Sequence, residues 1–310
     1  MYMHAHKLFS LIMLAMLLPS IAFAKDPLEL VNVTGNVYAI VGDTGNRSPE
    51  NYGDNATFGF VVTPKGVVLI DPGGSYKGAR KIHEMIKQVT DKPVVIVINT
   101  GGQDHRWLGN GYFKKLGAKI IANKRAVVDQ KNRVQDEFFM LGNLIGVDGL
   151  KGTNAVYADT TFDKEYHFVL GGTTFEIHFA GPAHTPGDSF VRLPKQGVIF
   201  TGDIVFTERM LGVLDFSNSK SWIKVYEVMA AYKPEHIVPG HGHPTDIAKA
   251  NADTYEYLLY LRQSVKAFMK AGGDITDINK VNQSKYKYLI NFDTLAGRNA
   301  QRVYEEMEWE

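Results

Sequence analysis

The stretch TFGFVVTPKGVVLIDPGG, from Thr57 to Gly74, carries the pattern on which the fold prediction rests. Two runs of β-branched and aromatic residues flank Pro64-Lys65-Gly66, and such a tripeptide between apolar runs is typical of a hairpin turn. The second run ends at Asp71, directly before Pro and two glycines. The stretch therefore predicts two strands joined by a tight turn, with an acidic residue in the loop that follows.

The residues after this hairpin alternate between helical and strand patterns. Apolar residues at helical spacing predict a helix from Tyr76 to Val89. The run PVVIVIN, from Pro93 to Asn99, has no alternation, as expected of a strand that is covered on both faces. A short helix and a further strand, Ala118 to Asn123, complete this half.

The second half of the chain repeats the scheme. Its predicted strands and helices are TTFEIHFAG, QGVIFTGDIVF, SWIKVYEVMAAY, HIVPGHG, a long helix from Asp253 to Ala271, and a final helix from Phe292 to Glu310. The order predicts an α/β fold of two similar β-rich halves with helices outside. No shift in composition divides it, so one large domain is expected.

The first 24 residues have the layout of a secretory signal peptide. Lys7 precedes an apolar run, and small residues at Ala22 and Ala24 precede Lys25. We expect cleavage after Ala24, which gives a signal peptide over residues 1–24 and a domain over residues 25–310, in the periplasm or secreted. The alternative is a retained membrane anchor, but so short an apolar run spans a bilayer poorly.

Composition limits the chemistry available to the domain. The chain has no Cys, so disulfides and thiolate chemistry are excluded and a metal needs His, Asp or Glu ligands. Without Lys7, 33 basic residues balance 33 acidic ones, which argues against a nucleic-acid partner. Oligomeric state is not indicated.

The ionisable residues of interest lie in loops that follow predicted strands, where α/β proteins usually place their sites. They are Asp71, Asp104, His105, His184, Asp203, His241 and His243. A single His or Asp in a loop is more often a turn or cap residue than a ligand. The seven residues in this order along the chain indicate a functional site much more specifically than any one of them does.

The motifs GPAHTPGDSFVRLP, VIFTGDIVF and IVPGHGHP resemble the second half of a metallo-β-lactamase-fold hydrolase, the family that includes glyoxalase II and zinc-dependent β-lactamases. The resemblance extends from about Val37 to His243. The C-terminal helices look more like periplasmic members associated with quinoprotein and sulfur-oxidation systems. The resemblance implies a four-layer αββα sandwich with extra C-terminal helices and a metal site along one edge.

The resemblance also implies roles for individual residues. His184 matches the third histidine ligand of a first metal, Asp203 the aspartate that bridges two metals, and His241 the last ligand of the second metal. Asp71 matches a buried aspartate that supports the site without contacting metal. His243 has no ligand equivalent and is interpreted as a loop or supporting residue.

The stretch INTGGQDHRWLGN, from Ile98 to Asn110, departs from the family pattern His-x-His-x-Asp-His. Matched without a gap, the four pattern positions become Gly101, Gln103, His105 and Arg106. If Asp104-His105 is instead matched to Asp-His, the two preceding histidines become Thr100 and Gly102. In either register two histidines of the first metal position are missing.

Counting ligands favours one divalent metal at the second position, held by His105, Asp203, His241 and, in the gapped register, Asp104. We expect His105 to be a ligand in either register. Zinc is the first choice, although imidazole and carboxylate ligands also accept iron or another divalent ion. Another interpretation is that the loop only forms a turn and caps a helix, and that the site is vestigial.

The resemblance therefore implies a metal-dependent hydrolase that cleaves an ester, thioester, amide or related bond of a small molecule. Asp104 is the candidate to orient or deprotonate the attacking water, and Arg106 and Gln103 are candidates for substrate contact. The apolar segment from Gln135 to Leu150 lies where relatives carry a flap, though it also fits a core helix. The alternative function is a binding or accessory protein with little or no hydrolysis.

Overall fold

The computed structural model describes residues 27–310, so the predicted signal peptide lies outside the described residues. Within the described range, no helix is both long enough and apolar enough to cross a membrane.

The first of two sheets contains the opening hairpin. In the part of the chain that the structure describes, its seven strands follow chain order: β1 Glu29–Thr34, β2 Val37–Val41, β3 Thr57–Thr63, β4 Gly66–Ile70, β5 Val94–Asn99, β6 Lys119–Asn123 and β7 Thr160–Phe162. β3 and β4 pair antiparallel with Thr63 opposite Gly66, which confirms the predicted hairpin. From β4 to β7 the pairing is parallel.

The second sheet has the order β12-β11-β10-β9-β8. Its strands are β8 Glu165–Leu170, β9 Thr173–His178, β10 Phe190–Leu193, β11 Val198–Phe200 and β12 His236–Val238. β11 is shorter than predicted, because Gly202 has φ +51° and the chain turns through a 3₁₀ helix at Gly202–Ile204. This turn places Asp203 in the loop beyond the strand.

Helices cover the outer faces of both sheets. They are α1 Tyr76–Lys87, α2 Asn110–Lys115, α3 Lys124–Leu150, α4 Ser219–Ala230, α5 Ile247–Ala250, α6 Glu256–Lys270 and α7 Phe292–Met307. One apolar cluster joins the inner faces of the two sheets, a second packs α1 and α2 on the first sheet, and a third packs α4, α6 and α7 on the second. The predicted four-layer αββα sandwich with C-terminal helices is confirmed.

Backbone contacts join the two sheets at the edge where the candidate residues lie. Thr57 at the start of β3 donates from its N–H to the carbonyl of Gly240 (2.8 Å) and from Oγ1 to the carbonyl of Gly242 (2.6 Å). These bonds fix the loop after β12 against the first sheet. His241, which lies between the two glycines, is held with it.

Candidate metal centre

Three of the predicted residues form a buried cluster. One ligand atom from each of His105, Asp203 and His241 lies within 4.8 Å of the others. Nε2 of His105 is 3.2 Å from Oδ2 of Asp203, and Nε2 of His241 is 3.2 Å from Oδ1. Both rings therefore direct the same nitrogen towards one carboxylate. Another His and Glu group, Glu165, His167 and His178, lies on β8 and β9, where two of its three side chains are exposed.

The loop neighbour of His105 holds its ring from the other side. Nδ1 of His105 lies 3.0 Å from Oδ1 of Asp104, an oxygen that also accepts from Arg47 (2.5 Å). Nη2 of Arg47 is itself 2.7 Å from Nδ1. In the tautomer in which Nδ1 donates to Asp104, Arg47 donates to the same carboxylate oxygen and not to the ring, and Nε2 is left unprotonated and able to bind a metal. Asp104 is therefore a positioning residue and not part of the ligand cluster, which corrects its expected place among the ligands.

The ring of His241 is held by a backbone carbonyl. Nδ1 donates to the carbonyl of Asn55 (2.8 Å), and the ring stacks on Phe206 with centroids 4.5 Å apart. Burial holds the pKa of His241 well below its ordinary value, so the ring is neutral. Its Nε2 lone pair then faces the Asp203 carboxylate. Two acceptors at this separation repel unless a cation lies between them, so these residues fit a divalent metal.

A buried arginine fixes Asp203. Nε of Arg106 donates to Oδ2 of Asp203 (3.1 Å) and Nη2 donates to Oδ1 (2.7 Å). Although burial acts to raise the pKa of Asp203, the Arg106 guanidinium holds it well below its ordinary value. Asp203 is therefore an anion whose two oxygens are fixed in direction.

The expectation that Arg106 contacts substrate is wrong for a physical reason. Its side chain is fully buried, and its remaining N–H groups donate to Thr57, Asp71 and Gly240. All five donors of the guanidinium are engaged by protein acceptors.

Asp71 lies behind the cluster, and its hydrogen bonds go to residues other than the two histidines. It accepts from the N–H and Oγ1 of Thr100, each at 2.7 Å, and from Arg106 at 2.9 Å. Its φ of +62° is in the left-handed region, which is strained for a residue with a Cβ. The interpretation of Asp71 as a buried supporting carboxylate agrees with these contacts.

His184 lies beside the cluster, but its ring nitrogens are not among the ligand atoms of His105, Asp203 and His241 that lie close together. Nδ1 lies 2.9 Å from the carbonyl of Gly212, and Nε2 lies 2.7 Å from the side-chain amide of Gln103. Burial lowers the pKa of His184 to about 4, so the ring is neutral and can donate from one nitrogen. Donation from Nδ1 requires the Gln103 NH₂ group to face Nε2. The expected convergence of His184 with Asp203 and His241 on one point is therefore corrected.

Carboxylates lie close to the backbone of Gly101 and Gly102, each of which stands at a missing histidine in one of the two registers. A Cβ on Gly101 would lie 2.6 Å from Oδ1 of Asp188, and a Cβ on Gly102 would overlap the carboxylate of Asp129. Gln103 lies against His184, and His105 lies within the cluster. The first metal position retains one histidine, which is too few for a site.

His243 belongs neither to the buried cluster nor to the cavity wall. Its side chain is 45% exposed and its Nδ1 lies 2.9 Å from Oε2 of Glu208. Of the two interpretations of His243, these contacts agree with a loop residue that pairs with Glu208 at the surface and not with a supporting residue of the cluster.

A cavity of about 850 Å³ opens over the cluster, and its wall includes side chains that the sequence did not indicate. Arg47 and Asn55 come from the loop between β2 and β3, and Arg209 follows Asp203 by one short segment. Asn55 acts through its backbone carbonyl, which no side-chain pattern reveals. The sequence could have indicated Arg209 only by its position shortly after Asp203.

The apolar segment from Gln135 to Leu150 contributes both to the core and to the cavity, the two roles expected of it. It forms the second part of α3, where Leu141 and Ile145 pack with Trp107. Met140 and Leu144 line the cavity.

Comparison with known proteins identifies the family and the fold. A family model described as the metallo-beta-lactamase superfamily matches residues 51–241. A metallo-beta-lactamase type 2 of Elizabethkingia meningoseptica is 30% identical over 195 residues, which are 61% of this chain and 69% of that protein. A hydroxyacylglutathione hydrolase, GloC, of Haemophilus influenzae is 26% identical, covering 60% of this chain and 84% of that protein. The stereoselective inverting sec-alkylsulfatase Pisa1 of Pseudomonas sp. shares the fold, with a TM-score of 0.67 and 17% identity over 90% of this chain and 50% of that chain.

Proposed function

Because the chain belongs to the metallo-β-lactamase superfamily, we propose that it is a hydrolase that holds one divalent metal ion between His105, Asp203 and His241. The observation that carries the proposal is the buried Nε2 of His241, a lone pair that faces a carboxylate across 3.2 Å. Zinc suits two imidazoles and a carboxylate with a position left open, and iron is the alternative.

A metal held in this way supplies a Lewis acid and lowers the pKa of coordinated water towards about 7. The chain's own residues prepare the position. Asp104 and the Asn55 carbonyl hold the Nδ1 edges of the two rings, and Arg106 holds Asp203 ionised and fixed. Gln103 and His184 line the cavity beside the cluster, where we assign them to substrate contact.

The substrate is a small molecule that fits a cavity of about 850 Å³. The bond cleaved is an ester, thioester, amide or related bond. The similar proteins suggest which compounds to try first: a β-lactam, a hydroxyacylglutathione and a secondary alkyl sulfate. We also propose that residues 1–24 direct the protein to the periplasm or the medium.

The test is hydrolysis of such a panel by the purified protein, with and without prior removal of metal by a chelator. We expect activity on at least one compound, loss of that activity after chelation, and its return on adding zinc or iron. Asp203→Asn should remove activity, whereas His243→Ala, at the surface, should retain it. A metal-loaded protein that is inert on the whole panel supports the alternative of a binding or accessory protein.

A further inference from the structure

The wall of the cavity is rich in guanidinium groups. Five arginines line it: Arg47, Arg133, Arg209, Arg298 and Arg302. Arg47 pairs with Asp104, Arg133 with Asp129 and Glu137, and Arg302 with Glu305. Among the contacts of residues 27–310, neither Arg209 nor Arg298 has a carboxylate within ion-pair distance.

Arg209 is the most unusual of the five because it is buried without a counterion. It is 8% exposed. Its Nη1 donates to the carbonyl of Gly45 at 3.2 Å and lies 3.3 Å from Nδ1 of His241. Since that nitrogen donates to Asn55, it cannot also accept from Arg209. A guanidinium removed from water is costly unless an acceptor or an anion compensates it.

Arg47 adds a second incompletely satisfied group to the same wall. The Nε atoms of Arg47 and Arg209 are both buried, and neither has a hydrogen-bond partner within the described chain. The guanidinium of Arg209 is a cation at neutral pH, as arginine side chains in proteins are. Two cations thus lie beside His105 and His241. Four acidic residues also line the cavity: Asp104, which pairs with Arg47, Glu137, which pairs with Arg133, Asp136 and Asp215. Among the described residues, none of the four lies within ion-pair distance of Arg209.

Two further arginines of the cavity wall lie outside the region that the family model matches. Arg298 and Arg302 belong to α7, whereas the match ends at residue 241. The C-terminal helix therefore completes the cavity with cationic side chains.

We propose that Arg209, with Arg47, binds an oxyanion carried by the substrate, a carboxylate, sulfate or phosphate, next to the metal position. The guanidinium fork matches the paired oxygens of such groups and supplies the anion that the buried charge lacks. This inference rests on the proposed function for its use in catalysis, but the binding itself needs no reaction.

The experiment measures anion binding by the full-length chain after metal removal, so it is independent of hydrolysis. Sodium sulfate, phosphate and acetate are each titrated at constant ionic strength, with chloride as the balancing salt, and followed by calorimetry. We expect saturable binding of at least one oxyanion. In Arg209→Gln its affinity should fall at least about tenfold, the equivalent of one lost charged hydrogen bond. Arg80→Gln on α1, with a side chain 60% exposed, is the matched control and should bind as wild type.

Arg209→Lys keeps the positive charge but lacks the two parallel N–H donors of the guanidinium, so it should bind the oxyanion with intermediate affinity. If Arg209→Gln does not fold, Arg209→Lys is the variant compared with wild type. Absence of saturable binding, or equal affinity in wild type, Arg209→Gln and Arg209→Lys, would overturn the proposal. Oxyanion binding that depends on Arg209 in a protein inert on every substrate would leave this site standing and count against the hydrolase proposal alone.

Discussion

Asp104 and His105 are adjacent in the chain but do different work. His105 directs Nε2 into the cluster, and Asp104 holds the opposite edge of the ring. Carboxylates that accept from a ligating histidine fix its tautomer and strengthen it as a ligand. In the proposed site, His105 is therefore the ligand and Asp104 the residue that orients it.

Asp104→Asn should therefore weaken metal binding without removing it. We expect the affinity for zinc to fall by about 10 to 100-fold, the usual loss when the partner of a ligating histidine is changed. Competition with a chromophoric chelator measures it. Asp136→Asn, an exposed carboxylate on the same cavity wall, is the control and should bind zinc as wild type. Equal affinities in the two variants would contradict the role given to Asp104.

His184 should make the stability of the metal-free protein depend on pH. Its pKa is about 4 when folded and ordinarily about 6.5, so the unfolded chain binds more protons between these values. The contribution of the neutral ring is complete above pH 6.5 and is lost as the pH falls towards 4. The difference in unfolding free energy between wild type and His184→Gln should thus shrink by about 2 kcal/mol from pH 7 to pH 5. Urea titrations at both pH values measure it, and a constant difference would contradict the assignment.

The sequence could indicate ligands more readily than the groups that hold them. His105, Asp203 and His241 were recognisable because imidazole and carboxylate side chains followed strands in matching motifs. The sequence did not show whether a side chain points into the cavity or into the protein interior. Arg106 was expected to face the substrate, yet it turns inward to Asp203, because two buried carboxylates and two carbonyls attract it.

At the scale of elements, the proposal of a single metal depends on the loop after β5. Asp188 lies beside Gly101 and Asp129 lies beside Gly102, so a side chain added at either glycine would meet a carboxylate. Restoring the histidines alone should not restore the first metal position.

The double variant Gly101→His with Gln103→His tests this directly. A Cβ at position 101 would lie 2.6 Å from Oδ1 of Asp188, so we expect destabilisation of about 1 to 3 kcal/mol and no second metal. Gln103→His alone, which adds a side chain on the cavity wall, is the control. Two metals in the double variant would mean that the loop is more adaptable than its packing indicates.

Element types could be predicted better than element ends. Strand β5 and helix α1 lie where periodicity placed them, since a buried strand and an amphipathic helix each have a distinct spacing. Strand β11 was predicted too long, because apolar residues continue past the turn at Gly202. Residues Lys124 to Val134 of α3 were not predicted as helix, since their mixed polarity lacks a clear apolar stripe.

At the scale of the whole molecule, the sandwich could be predicted but the cavity could not. Alternating strand and helix patterns indicate two β-rich halves with helices outside, and the resemblance to the metallo-β-lactamase fold implies the four-layer sandwich with a site along one edge. The cavity combines the loop before β3, helix α3, the loop after β11 and helix α7, which are far apart in sequence. No local pattern brings Arg47, Arg209 and Arg298 together, so the cationic wall is a product of the tertiary fold.

The central claim, one metal between His105, Asp203 and His241, is tested most directly by the metal content of the purified protein. Elemental analysis after zinc loading and removal of free metal should give one ion per chain. His105→Ala should reduce this to near zero with an unchanged circular dichroism spectrum, because the ligand is lost and the sheets keep their own cores. His243→Ala should still bind one. Two ions or none in the wild type, or an unchanged content in His105→Ala, would contradict the claim.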